Sequence, residues 1–287
     1  MRRSYLAAFT IAFHATLAKA GTAKVLIFTA TAGLKHDNMI PAAIDVLKDK
    51  GPSIDVEFDS TDDASTFTDD NLKKYDALLF LATTGDVLPN DESFQRYLNA
   101  GGNFIGVHSA CDAMRNSKTY ANEIGSLSYN APEVQNYVVD VLEPKHPSGA
   151  QLSSPWAVIG EAYNFASDPR SLGARVVLAA RESTFFDTNK STTQGSPHPI
   201  AWYQEKGAGV QTGGIAGRSY YTALGHLPET WQKDVLFQRH ILGAITWTVQ
   251  SGTTKAFNTS ALVGNYSPSG SAGPYAFTSS HSDTTRC

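Results

Sequence analysis

Phe104-Ile105-Gly106-Val107-His108-Ser109-Ala110 is the stretch on which the fold turns. An unbroken apolar run stops on an ionisable ring, and small residues follow. A run without polar alternation reads as a strand buried on both faces, the pattern of a parallel sheet covered by helices. Open parallel sheets hold their ligands at the carboxyl ends of their strands, in the crevice where helix N-termini gather. Residues 106–110 also have the outline of the strand-to-helix elbow that presents Ser or Cys in acyl-transfer enzymes. Here the elbow carries His108, so a site is expected, but without a standard Ser or Cys nucleophile.

Working outward, three earlier apolar runs, 24–30, 54–58 and 76–82, also end in polar loops. Between them lie helix signals. Asp37 is placed to cap a helix with Pro41 in its first turn, and Gly51-Pro52 stops it. Thr68 with Asp69 and Asp70 starts a short helix, and Asn90 opens another over 91–100. Strands alternating with helices imply a right-handed, doubly wound parallel sheet. Beyond the elbow, 134–142, 174–180, 200–204 and 219–224 read as strands. Residues 229–250 read as one long helix with Trp231, Val235, Leu242, Ile245 and Val249 on its core face.

The ends differ from this core. Arg2 and Arg3, an apolar stretch over 6–17 and Ala18-Lys19-Ala20 read as a secretory signal peptide over residues 1–20, too short to span a bilayer. Its removal takes three basic and no acidic residues from totals of 23 and 27, leaving a net charge of −7. That balance argues against nucleic acid or an anionic membrane surface as partner. Three sequons, at Asn189, Asn258 and Asn265, fit a secreted, extracellular glycoprotein. Of the two cysteines, Cys111 is expected as a small buried residue, although a pairing with Cys287 stays open. Residues 251–287 are rich in Ser, Thr, Gly and Pro, read as a disordered tail, and lack the hydrophobic terminus of a lipid anchor. The folded part is thus expected over 21–250.

On the sheet reading, three loops open on one rim: 31–36, Thr83-Thr84-Gly85-Asp86, and His108 with Ser109. Histidines and hydroxyls gathered there suit acid–base work or hydrogen bonding to a polyhydroxylated ligand. Glu161 and Tyr163 lie in chain read as irregular, where a carboxylate has no packing role. Arg218 and His226 bracket the strand 219–224; Arg218 could bind an anionic sugar or make a structural ion pair. His240 is expected to be structural. A divalent metal is compatible with His36, His108, His226 and a carboxylate by ligand type. No pair among them has diagnostic spacing, so no metal site is assigned. The glycines over 207–217 match no nucleotide fingerprint.

Several ordered motifs then resemble the ThuA-like family, named for trehalose utilisation. They are Lys35-His36-Asp37, Thr83-Thr84-Gly85-Asp86, residues 106–112, His146-Pro147, Glu161-x-Tyr163, residues 198–202 and Gly217-Arg218-x-Tyr220-Tyr221-Thr222-Ala223-Leu224-Gly225-His226. The resemblance spans about Lys24 to Trp247. It implies a flavodoxin-like α/β fold similar to class I glutamine amidotransferases, with extra antiparallel strands. It implies too that a histidine replaces the amidotransferase cysteine at the elbow, so glutamine amidotransfer is not expected. The chain departs from the family at Tyr129-Asn130-Ala131-Pro132, where members often carry a histidine before the proline.

The function expected from the residues is cleavage of a glycosidic bond in an oligo- or polysaccharide, by hydrolysis or elimination. His36, His108 and Glu161 would be catalytic; Asp86, Ser109, Tyr163, Arg218 and His226 would bind substrate. The alternative is a non-catalytic glycan-binding protein on the same scaffold.

Overall fold

The computed structural model describes residues 21–264. The expected leader, the sequon at Asn265 and Cys287 lie outside the described residues. The sequons at Asn189 and Asn258 are exposed, and Cys111 is a free, buried thiol.

Ala23–Phe28 (β1), Val56–Thr61 (β2), Ala77–Leu81 (β3) and Asn103–Val107 (β4) are the four strands expected of the first half. β3 and β4 are buried at every residue, as unbroken apolar runs require. β2 alternates buried and exposed positions and occupies an edge. Gln135–Val141 (β5), Trp156–Gly160 (β6), Arg175–Ala180 (β7), His198–Gln204 (β8) and Ser219–Thr222 (β9) complete the sheet. The nine strands run in the order β2-β1-β3-β4-β9-β8-β7-β5-β6. Pairing is parallel from β2 to β9 and antiparallel from β9 onward. This is the flavodoxin-like mainly parallel sheet with an antiparallel extension. Leu81, Val107 and Thr222 lie side by side at one edge, so the loops after β3, β4 and β9 open together.

The helices are Met39–Lys50 (α1), Asp69–Leu72 (α2), Glu92–Asn99 (α3), Lys118–Ile124 (α4), Pro228–Lys233 (α5) and Val235–Val249 (α6). α4 and α6 both pack on β4 and β9. Alternation along β9 divides them: Tyr221 meets the α4 side near Gly106, and Tyr220 rings with Trp247 of α6. Gly106 is needed there, since a Cβ would press on Ile124 at 3.0 Å and Tyr221 at 3.1 Å.

Three expectations are corrected. The long C-terminal helix is two helices, because Asp234 stands in extended backbone (φ −83, ψ 100) and its carboxylate accepts from the Leu236 and Phe237 N–H groups. Local capping outcompetes helix continuation there. Asp234→Ala is therefore expected to cost about 1 kcal/mol, a fall in melting temperature of roughly 2–4 °C by calorimetry. Second, residues 251–264 do not begin a disordered tail. Thr254–Lys255 and Asn258–Leu262 form a hairpin, Ala256 and Val263 are buried, and Asp76 accepts from Lys24 N, Gly264 N and Lys255 Nζ. A buried carboxylate orders a segment whose own apolar content could not. Third, β6 was not anticipated. Its inward residues Trp156, Val158 and Gly160 are buried while Ala157 and Ile159 are exposed.

β6 matters for the site. It lies five ladder steps from β4, about 24 Å away in a flat sheet at normal strand spacing. The antiparallel half instead curls back, and Trp156 and Val158 line one cavity with Leu224 and Phe237. The end of β6 thus returns to the elbow. Among the described residues no helix is long and apolar enough to cross a membrane.

Candidate active site

The elbow is built by strain and by hydrogen bonds that hold it. His108 has φ +58, a left-handed conformation uncommon outside glycine. The Tyr221 hydroxyl donates to its carbonyl at 2.8 Å, and the Cys111 thiol does so at 3.6 Å. The imidazole is fully buried, with Nδ1 at 3.2 Å from the Ala223 carbonyl. A carbonyl can only accept, so the proton sits on Nδ1 and Nε2 turns a lone pair inward.

Three other side chains converge on that lone pair. His36 arrives on the loop after β1, which the loop after β3 pins: Ala32 N–H donates to the Thr84 carbonyl and Thr84 Oγ1 to the Leu34 carbonyl, both at 2.8 Å. His226 follows β9, where the Trp231 indole donates to the Gly225 carbonyl at 2.9 Å. Glu161 follows β6. His36 Nε2 lies 3.1 Å and His226 Nδ1 3.2 Å from His108 Nε2. Glu161 Oε2 is 3.1 Å from His226 Nδ1 and 3.8 Å from His108 Nε2. All four donor atoms lie within 4.8 Å of one another.

The surroundings set the charges. Burial pushes His108 down to about 3, helped by the neighbouring His36. His36 is lowered by burial and then by His226. Burial alone would raise the Glu161 carboxyl; the His226 hydrogen bond, electrostatic attraction to the His108 and His226 rings, and the Tyr163 hydroxyl together hold it below its ordinary value. At neutral pH the His36 and His108 rings are neutral and the carboxylate is ionised.

The other expected residues divide. Tyr163 is at the site: its ring meets that of His108 edge-on at 5.5 Å, and its phenol lies in the field of Glu161. His198 Nε2 lies 2.8 Å from the Tyr163 carbonyl and supports it. Ser109 is buried beside His108, and its Oγ has no partner among the described residues. Asp86 is exposed two residues past Thr84, and among the described residues its carboxylate joins no hydrogen bond or ion pair. Arg218 is not at the site. It precedes β9 at the opposite end of the sheet, where it donates to the Trp247 and Gln250 carbonyls, pairs with Glu205 at 3.3 Å and stacks on Trp247. Strand polarity is the reason, because the two ends of one strand face opposite rims. His240 is structural as expected, bridging Ser148 O and Thr222 Oγ1. Tyr137 was not anticipated. Its buried hydroxyl, in the field of Glu161, has no partner among the described residues, and nothing in the period-two pattern of β5 distinguishes it from core.

The sequence pattern of the ThuA family, described as trehalose utilisation, matches residues 24–248. The chain belongs to the ThuA family. Solved structures agree on its fold. A ThuA-like protein from Bacteroides uniformis superposes with a TM-score of 0.64 at 20% identity, covering 87% of this chain and 98% of that one. One from Parabacteroides merdae gives 0.60 at 17% identity, covering 79% and 89%. A cytoplasmic protein from Salmonella typhimurium gives 0.51 at 12% identity, covering 78% and 98%. No curated protein matches the sequence. In this ThuA-family chain the four converging donors come from loops 36, 108, 161 and 226, all within the matched span.

Proposed function

We propose that this ThuA-family protein is a secreted, metal-dependent enzyme that cleaves a glycosidic bond by hydrolysis or elimination. The observation that carries the reading is the convergence of His36, His108, Glu161 and His226. Metal–nitrogen bonds of about 2.1 Å put neighbouring donors roughly 3.0 Å apart in octahedral and 3.4 Å apart in tetrahedral geometry. The nitrogen separations here, 3.1 and 3.2 Å, fall between those values. The donor chemistry fits as well. Neutral imidazoles and an ionised carboxylate are the ligand forms a divalent cation needs, and the Ala223 carbonyl fixes the His108 tautomer from behind.

The three imidazoles would hold the cation, with Glu161 as the anionic donor. A divalent ion there supplies Lewis-acid polarisation of a sugar oxygen and makes a bound hydroxyl more acidic. His108, kept neutral by burial, suits ligation better than the proton-carrying role its position alone suggests. Proton transfer falls to Tyr163. Its phenol is held well above its ordinary pKa by burial and by neighbouring negative charge, so it stays protonated. Set against the His108 ring and near Glu161, it would give that proton to a departing sugar oxygen, and water would restore it. The buried Ser109 Oγ offers a further hydrogen bond to substrate. The family's description ties the chain to carbohydrate use, and the leader with its sequons supports export.

Elemental analysis of the purified full chain is expected to find about one divalent metal per chain. A glycan screen read by mass spectrometry then assigns the reaction, since hydrolysis adds one water across the products and elimination adds none. A folded chain that takes up no divalent cation would sink the proposal. Metal and glycan bound without any product would leave a glycan-binding protein.

A further inference from the structure

The segment carrying Glu161 is bordered by two exposed aromatic rings, Phe186 at 76% and Tyr129 at 53%. Single exposed rings are ordinary on protein surfaces. What distinguishes these is how their backbones are held. Gln135 faces Gly160, the residue before Glu161, across the β5–β6 ladder. Its side-chain amide donates to the Phe186 carbonyl at 3.0 Å and accepts from the Phe186 N–H at 2.8 Å. Asn164, three residues past Glu161, pairs through its backbone with Asn130, the neighbour of Tyr129. The Asn164 amide also donates to Asp187, the neighbour of Phe186, at 2.6 Å. One asparagine thus ties both aromatic segments to the turn 161–164.

A second observation points to a ligand on this flank. The Tyr137 hydroxyl and the Asn130 side-chain carbonyl are buried, and neither has a partner among the described residues. Tyr137 lies two residues from Gln135, hence on the same face of β5, and its ring packs edge-on against Phe185 at 5.8 Å. Buried polar atoms without partners are rare in folded proteins. Here both belong to residues next to the aromatic segments: Asn130 follows Tyr129 in sequence, and Tyr137 packs on Phe185, the residue before Phe186.

We infer that this flank is a second sugar subsite, so that the substrate is an oligo- or polysaccharide of three or more units rather than a disaccharide. The inference rests on reading the histidine–glutamate cluster as the place of glycosidic cleavage. A pyranose ring has C–H faces and a hydroxyl-rich edge. The faces match Phe186 and Tyr129, whose aromatic surfaces are electron-rich; the edge matches Tyr137 and Asn130. A sugar on this flank continues the chain away from the cluster.

Calorimetric titration of the metal-loaded full chain against malto-, cello- and laminari-oligosaccharides of two to six units tests this. In one series, affinity is expected to rise about tenfold between the disaccharide and the tetrasaccharide, the gain of two stacking contacts. Tyr129→Ala with Phe186→Ala should flatten that rise without changing thermal unfolding, since both rings are exposed. Affinity that does not grow with chain length, a rise that survives loss of both rings, or binding to no member of the three series would overturn the subsite. Metal content of the same sample separates the failures: a chain that still holds its cation keeps the cluster reading and loses only the subsite.

Discussion

His108→Ala is expected to lower turnover by about three orders of magnitude or more, the scale seen when one member of a catalytic set is removed. It should also lower metal affinity at least tenfold, because the central donor of the cluster is lost. The physical reason is that His108 Nε2 is the shared neighbour of His36, His226 and Glu161. Alanine would leave the Ala223 carbonyl without its donor, so His108→Asn is the companion variant; asparagine tolerates the left-handed backbone at this position. Tyr163→Phe separates the roles. It should keep the metal and lose roughly 10²–10⁴ in kcat, the range for general acid–base groups. Equal metal binding and turnover in His108→Asn and the parent chain would remove the elbow from the chemistry.

Glu123 is expected to make a contribution to stability that is lost as pH rises from about 4.5 to about 8. Its carboxyl is fully buried at the end of α4 beneath Gly207 and Gly209. Burial pushes it up from 4.5 to about 8, against a single opposing hydrogen bond from Gly209 N at 3.0 Å. Because the folded-state value is raised, the folded chain binds the proton more tightly than the unfolded one. That contribution is therefore full below the unfolded pKa and is lost as pH climbs toward the folded one. At about 1.4 kcal/mol per unit, the window holds on the order of 5 kcal/mol, a large share of a typical total of 5–15 kcal/mol. Glu123→Gln removes the titration while keeping the shape. The parent's denaturant midpoint minus the variant's should fall steadily between pH 5 and 9, a difference from which the opposing contribution of buried histidines such as His108 cancels. Parallel curves would show that Glu123 does not titrate in this window.

How much of this could be read beforehand follows from where the information lies. β1, β3 and β4 were legible because burial on both faces leaves unbroken apolar runs, and His108 was legible because it terminates one of them. The loop carrying His36 followed from topology. Glu161 could be named but not placed, since its arrival depends on the curl of strands whose pairing is non-local. The strand before it, Trp156–Gly160, offers only three inward positions, one of them glycine. Arg218 and His226 looked equivalent as flanks of one strand; only strand direction separates them. The break at Asp234 was hidden by apolar periodicity that runs through it. No metal spacing existed to be found, because each donor sits on its own loop.

The carboxylate of the cluster follows directly on an edge strand of the sheet. β6 has a neighbour on one side only, with Ile159 half open to water, whereas His108 is sealed between β3 and β9. On the proposed function, then, the elbow sits inside the sheet and Glu161 at its margin, so a change of substrate girth would be met at the Glu161 side first. Trp156 and Val158, packed under that margin beside Leu224 and Phe237, are where substitutions would shift the carboxylate against the fixed imidazole of His108.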